Sequence, residues 1–378
     1  MPYTSSLSTH NDPGVAIGET IGEILEALGP SPDVVTLFIS GGFIGHTEEF
    51  LSATLQLLQP KTLIGTTAVS VIAGSREVEQ QSAIAMWAGR FDGKASTIRL
   101  NARRSQNGGV ELDELPHSEA HTLILLADPF TFPAEVAVES WSISRPDLQV
   151  IGGLASGANT PNGNRFLLDG EIYSDGAVGL FIEGATSVEP LVSQGCRPVG
   201  SPLIVTAADG NLIQELGGQP ALRRLEEMFK GLDDAEKMLV NQGLHIGRVI
   251  DEHKADFGTG DFLIRGVMGA DQRTGAVAIG DHAPVGSTVQ FQVRDAASAD
   301  EDLRLMVEPL RPADGALVFT CNGRGTHLFE GPDHDAAIIA DLVQHNAVAG
   351  MFCAGEIGPV GTHSFLHGFT ASAAIFRD

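Results

Sequence analysis

The chain has 378 residues, 43% of them hydrophobic, enough for two or three domains with sizeable buried cores. It carries 23 Lys and Arg against 48 Asp and Glu, a formal charge of −25. That balance argues against nucleic acid and anionic membrane as partners, since both need basic patches. No apolar run approaches the ~20 residues of a membrane span. The polar start, Met1–Pro13, lacks the basic and apolar regions of a signal peptide, so the cytoplasm is the expected location. The three cysteines, Cys196, Cys321 and Cys353, include no C-x-x-C pair. Neither a disulfide framework nor a metal site is expected from them, and no cofactor.

In chain order, residues 1–14 are expected to be a flexible tail. Ile17, Ile21, Ile24, Leu25 and Leu28 then follow helical spacing, and Gly29-Pro30 ends that helix. Val34–Ile39 reads as a strand, Thr47 to Leu58 as a helix and Thr62–Gly65 as a second strand, one βαβ unit. Strands follow at 82–87, 95–100 and Thr122–Ala127, a helix from Pro133 to Ser144, and a strand Gln149–Leu154. Asp169-Gly170 joins Arg165–Leu168 to Glu171–Tyr173 as a hairpin, and Ala177–Ile182 is a further strand. The expected fold is α/β to α+β, two domains with mixed sheets, hairpins and flanking helices, the first over 15–190 and the second over 191–378.

Gly195–Pro202 reads as a turn-rich link into the second domain. A hairpin around Asp209-Gly210, helices after Pro220 and Asp233, and a meander of four strands from His245 to Val293 follow. Asp300–Leu310 is an amphipathic helix. The stretch from Gly315 to Thr370 then organises the rest. Ala316–Thr320 and Val348–Phe352 read as buried strands, each ending on a Cys and a Gly-containing polar turn, with a helix from Asp335 to about His345 between them. A right-handed crossover sets such strands parallel in one sheet, and ligands of open α/β sheets bind at their carboxyl ends. The final strand is Thr370–Phe376.

Four motifs in this order carry a resemblance: Ile151–Gly157, Gln194-Gly195-Cys196-Arg197-Pro198, Cys321-Asn322-Gly323-Arg324-Gly325, and Gly355–Pro359 with His367-Gly368-Phe369-Thr370. Together they resemble the FIST family, named for F-box and intracellular signal transduction proteins, over roughly residues 15–378. The resemblance implies an N-terminal and a C-terminal FIST domain, a sensory role and small ligands such as amino acids. Thr66 stands where the family turn often carries Cys. The FIST-like region fills nearly the whole chain, so any signal is expected to pass to a separate protein.

The candidate ligand-binding residues are Cys321, Asn322, Arg324, Cys353, Glu356, His363, His367, Cys196 and Arg197. Arg324, among glycines past a strand end, can hold a carboxylate bidentately or brace its own turn. Glu356 can receive an ammonium or pair with Arg324 or Arg197. The cysteines are either small core residues or thiols activated by a nearby cation or helix N-terminus. His363 and His367 are four apart in a Gly- and Pro-containing stretch, which does not place them on one helix face. Asp335 suits a helix N-cap. Asn107–Gly109, Ser156-Gly157 and Gly258–Gly260 lack phosphate-loop frameworks.

Three functions compete. The first is a small-molecule sensor. The second is a Cys/His-dependent hydrolase or transferase with Cys321 or Cys353 as nucleophile. The third is a protein-interaction scaffold.

Overall fold

The computed structural model describes residues 2–104, 109–254, 256–258, 260–343 and 347–377. Parts of the Asn107–Gly109 and Gly258–Gly260 turns, and the expected helix end at His345, lie outside the described residues. Among the described residues no helix is long and apolar enough to cross a membrane. The chain divides into two compact units. One comprises Met1–Val192, Leu303–Leu366 and Thr370–Asp378, and the other Ser193–Asp302 with His367–Phe369. The fold is α+β in two units, as expected. The division differs from 15–190 and 191–378, because the chain returns to the first unit after residue 302.

Three six-stranded sheets build the first unit, and they share one plan. A parallel pair lies at the centre of each: Val34–Ser40 with Thr62–Ala68, Thr122–Ala127 with Gln149–Leu154, and Gly315–Cys321 with Val348–Cys353. A helix joins the strands of each pair: Thr47–Leu57, Ala134–Ser144 and His334–Ala340. An antiparallel strand flanks the first member, namely Ala83–Gly89, Ala177–Gly184 and Thr370–Arg377. A hairpin flanks the second member.

Those hairpins are exchanged in a circle. The hairpin 166–173 of the second repeat joins the first sheet, 356–367 of the third joins the second, and 71–78 of the first joins the third. The register confirms the equivalence. Gly65, Gly152 and Gly350 are the partners of Leu37, Leu125 and Val318. A Cβ at those glycines would stand 2.4, 1.9 and 1.9 Å from the partner's carbonyl oxygen, so no other residue fits there. The cores follow from sequence: strands such as Val34–Ser40 and Thr122–Ala127 are buried throughout, as continuous apolar runs between covered faces require.

The second unit interrupts the third repeat, between the strand Ser187–Gln194 and the helix Ala296–Val307. Its strands run antiparallel in the order 196–209, 288–294, 244–249, 262–271, 276–279, 212–216, and the last pairs back with the first. This closed ring surrounds a core that includes Val205, Ile213, Ile246, Val277, Phe291 and Val293. Closure removes exposed strand edges.

Four expectations are corrected. The N-terminal tail is a strand, Tyr3–Ser8, paired with Ala83–Gly89. Tyr3 stacks on Trp87 at 5.1 Å, and the polar look of the segment comes from serines whose hydroxyls donate to the helix Pro13–Leu28, Ser6 to Glu23 and Ser8 to Glu19. The link at Gly195–Pro202 is part of a strand, Cys196–Asp209, whose Pro and Gly residues sit around a register shift between Val199 and Leu203. The polar turn expected around Glu356 is instead the first strand of a hairpin, 356–367. The last linking helix ends at Ala340.

Candidate functional site

The third parallel pair ends where the sequence suggested. Cys321 and Cys353 are register partners, so their side chains leave one face of the sheet side by side. Asn322 donates its N–H to the Cys353 carbonyl at 2.9 Å, which ties the two turns together. The Arg324 N–H bonds to the Cys321 carbonyl at 2.8 Å, folding the chain back toward the sheet. Gly325 follows at φ 57°, with Glu79 carboxylate atoms where a Cβ would lie. Glu79 in turn accepts from the N–H and hydroxyl of Thr326, at 3.0 and 2.8 Å.

Arg324 is buried completely. Its Nε donates to Asp335 Oδ2 at 2.7 Å and its Nη2 to Asp335 Oδ1 at 2.8 Å. The bidentate grip expected for a ligand is thus filled by an internal carboxylate, and Nη1 alone is left without a partner. Asp333 occupies the N-cap position, while Asp335 lies inside the helix rather than capping it. Thr320 donates its hydroxyl to Asp335 at 2.6 Å, and His334 Nδ1 lies 2.9 Å from it. Burial would raise the Asp335 pKa, but the Arg324 charge and these hydrogen bonds hold it well below the usual carboxylate range. Phe329 closes one side, with Arg324 over its ring at 5.3 Å and His334 stacked on it at 3.4 Å.

Glu356 begins the hairpin strand and is also fully buried. Its partner in the second sheet is Gly153. A Cβ on Gly153 would stand 2.3 Å from the Cys353 sulfur. Glu356 Oε2 accepts from the N–H and hydroxyl of Thr370 at 3.0 and 2.8 Å. Burial lifts its pKa to about 7, opposed by Thr370, the Cys321 thiol and the Arg324 charge. Its Oε1 makes no conventional hydrogen bond. Burial also raises the Cys353 thiol well above its ordinary value, with the charges of Glu356 and Cys321 adding to it.

Glu77 completes the cluster, and sequence reasoning missed it. It comes from the hairpin 71–78, which belongs to the first repeat but lies on the third sheet. Its Oε1 accepts the N–H groups of Asp335 and Ala336, both at 3.0 Å. Burial, then the Asp335 charge, lifts its pKa to about 7. No local signal marks it, because its partners lie 258 and 259 residues away.

The other two repeats show what is special about this corner. Ser40 stands where Cys321 does, and its hydroxyl is used by the Gln81 carbonyl at 2.7 Å. Asp128 stands there in the second repeat, holding Asn164, Phe130 and Thr131. Ala68 and Ala155 replace Cys353, and Phe166 and Val71 replace Glu356. In the third repeat Asn322 Oδ1, Arg324 Nη1 and Glu356 Oε1 are buried atoms without a hydrogen-bond partner among the described residues, and so is Glu77 Oε2 on the hairpin that joins this sheet.

The remaining candidates lie elsewhere. His363 is exposed, beside Thr362 and Phe365. His367 is buried and counts with the second unit. So do Cys196 and Arg197. Cys196 packs with Val249, Phe262 and Ile264, as a small core residue does. Arg197 is paired with Asp295 at 2.7 Å and Glu236 at 3.3 Å. Thr66 donates its hydroxyl to the Arg165 carbonyl at 3.0 Å. No group of three or more His, Cys, Asp or Glu among the described residues is arranged to hold a metal ion.

Comparison with known proteins gives the family of the chain. The model described as the FIST N domain matches residues 33–219, and that described as the FIST C domain matches residues 221–359. The junction of the two matches falls inside the second unit. An uncharacterised protein of Mycobacterium tuberculosis is 44% identical over 379 residues, covering 98% of this chain and 98% of the relative. One of Mycobacterium bovis is 44% identical over 378 residues, covering 98% of this chain and 97% of the relative.

Proposed function

Because this chain belongs to the FIST family, whose domains are commonly regarded as sensory, we propose that it is a cytoplasmic receptor for a small zwitterion of the amino-acid class. The observation that supports this reading is the set of buried atoms without a hydrogen-bond partner at the third strand-end corner: Arg324 Nη1, Glu356 Oε1, Asn322 Oδ1 and Glu77 Oε2. Buried polar atoms are nearly always paired, so these atoms have hydrogen-bonding capacity that a small polar ligand would use. Arg324 Nη1 is a charged donor suited to a ligand carboxylate. Glu356 Oε1 and Asn322 Oδ1 are acceptors suited to an ammonium. Asp335 keeps the guanidinium fixed, so little of its freedom is left to lose on binding.

The ligand would act by differential binding. It would satisfy the corner in one conformation better than in another and shift the balance between them. A separate signalling protein would read that shift. The hydrolase or transferase reading keeps some support in the Cys321 sulfur, which accepts the Gly323 N–H at 3.4 Å. The scaffold reading has no comparable feature at this corner.

The test is a thermal-shift screen of amino acids and small carboxylates on the wild-type chain, Asn322→Ala and Glu356→Gln. A ligand at a hundred times its Kd stabilises by about 2.7 kcal/mol. Hits that move the wild type and leave Glu356→Gln unmoved support the receptor. Hits that move both alike, or no hits, refute it. Turnover of a hit that disappears in Cys321→Ala would turn the reading to an enzyme.

A further inference from the structure

We propose that Cys321 and Cys353 form a redox couple whose disulfide closes the strand-end corner to its ligand. This rests on the receptor reading for its consequence, though not for its chemistry. The geometric basis is the register: the two cysteines are direct partners on neighbouring parallel strands. Neighbouring strands lie about 4.8 Å apart. A disulfide joins Cα atoms that are roughly 4.4–6.8 Å apart, with both side chains on the same side. Neither cysteine is in a disulfide.

The repeats make the pairing distinctive. At the same two positions the first repeat has Ser40 and Ala68, and the second has Asp128 and Ala155. A thiol opposite a thiol occurs only in the corner that also carries the unsatisfied Arg, Glu and Asn atoms. The two cysteines differ in access. Cys321 is partly exposed, and its sulfur takes the Gly323 N–H. Cys353 is fully buried, with its thiol directed to the Met351 carbonyl at 3.7 Å. Cys321 is therefore the thiol a small oxidant reaches first, and Cys353 the one that resolves.

The oxidant is a hydroperoxide. The Cys321 thiolate sulfur attacks one peroxide oxygen, the O–O bond breaks, and the leaving hydroxide or alkoxide takes a proton to become water or alcohol. Cys321 becomes a sulfenic acid. The Cys353 sulfur then attacks the Cys321 sulfur, giving up its proton to the Glu356 carboxylate. The S–O bond breaks, hydroxide leaves and takes that proton as water, and the S–S bond forms. Two thiols have lost two electrons and two protons, and the peroxide has gained them. The disulfide pins the Asn322 turn to the second strand and draws the Cys321 sulfur away from Glu356.

The experiment uses the full chain, Cys321→Ser and Cys353→Ser, each treated with hydrogen peroxide and then unfolded for thiol counting and peptide mapping. In the wild type the count is expected to fall from the three cysteines to one, with a Cys321–Cys353 cross-linked peptide. In Cys353→Ser a sulfenic acid at Cys321 is expected to be trapped by dimedone. Oxidised wild type is expected to lose the thermal shift given by an amino-acid hit and regain it with dithiothreitol. Three persisting thiols, a cross-link through Cys196, or a cross-linked protein that keeps its ligand shift would each overturn the proposal. Should no amino acid shift the reduced protein, the receptor reading fails. The thiol count and peptide map then still decide the couple on their own.

Discussion

Arg324 and Asp335 hold each other through two parallel hydrogen bonds of 2.7 and 2.8 Å with no solvent around either side chain. The pair fixes the guanidinium but leaves one nitrogen, Nη1, without a hydrogen-bond partner. A buried pair of this kind is costly to break on one side only.

Asp335→Asn should therefore destabilise the chain by about 3–5 kcal/mol, because it strands a buried guanidinium. Arg324→Met together with Asp335→Leu should cost less than the two single changes added together. Urea unfolding of Asp335→Asn, Arg324→Met, Asp335→Leu and the double variant gives the comparison. An additive double variant would mean that the two groups are not coupled.

Glu356 and Glu77 make stability fall toward alkaline pH, and His245, held by burial down at about 4, opposes them on the acid side. An unfolded glutamate titrates near 4.5, while both of these titrate at about 7 in the fold, chiefly through burial. Between those values the folded chain holds the additional protons. The stability they favour is complete below about 4.5 and is lost as pH rises through 7. Asp335 works the other way: its ionised form is favoured, so its contribution is lost as pH falls below the ordinary value of 3.8. Thermal midpoints should peak on the acid side of neutrality. Glu356→Gln should flatten the slope between pH 5 and about 8. An unchanged slope in Glu356→Gln and Glu77→Gln alike would contradict the raised values.

If an ammonium meets Glu356, binding and protonation compete for the same carboxyl. Below pH 7 the ligand must displace a proton, so affinity should climb with pH and level off near 7. Calorimetry at pH 6 in buffers of different ionisation heat should show release approaching one proton. Glu356→Gln should release none. Equal release in both would place the proton elsewhere.

The glycines divide into two kinds. Gly152→Ala and Gly350→Ala would each drive a methyl to 1.9 Å from a carbonyl oxygen on the neighbouring strand, so neither variant should yield folded protein. Gly22, exposed in the helix Pro13–Leu28, has open space where a Cβ would go. Gly22→Ala should raise stability by roughly 0.5–1 kcal/mol. Circular dichroism melts on the soluble fraction distinguish the two groups.

The corner was legible in part because its two strands announce themselves. Ala316–Thr320 and Val348–Phe352 are unbroken apolar runs around one helix, the kind of crossover that a parallel pair requires. Arg324 and Glu356 were legible as charges in glycine-containing turns. That Arg324 is bound by Asp335 was not, since spacing alone does not say which carboxylate a buried guanidinium meets. The threefold plan was hidden for another reason. Equivalent positions share a steric need and not a residue: Ser40, Asp128 and Cys321 end the same strand, and Phe166, Glu356 and Val71 open the same hairpin. Glycine at 65, 152 and 350 was the surviving common letter. The Tyr3–Ser8 strand was unreadable because its serines look solvated until their helix partners are known.

Each repeat of the first unit lends its hairpin to a neighbour and borrows one in return, and the loan closes on itself after three steps. A linear array can fray from an end, one module at a time. A loop of mutual lenders has no end to fray. Melting any one member strips a strand pair from the next, so this unit should come apart as a whole, and damage at one corner should be felt at the other two.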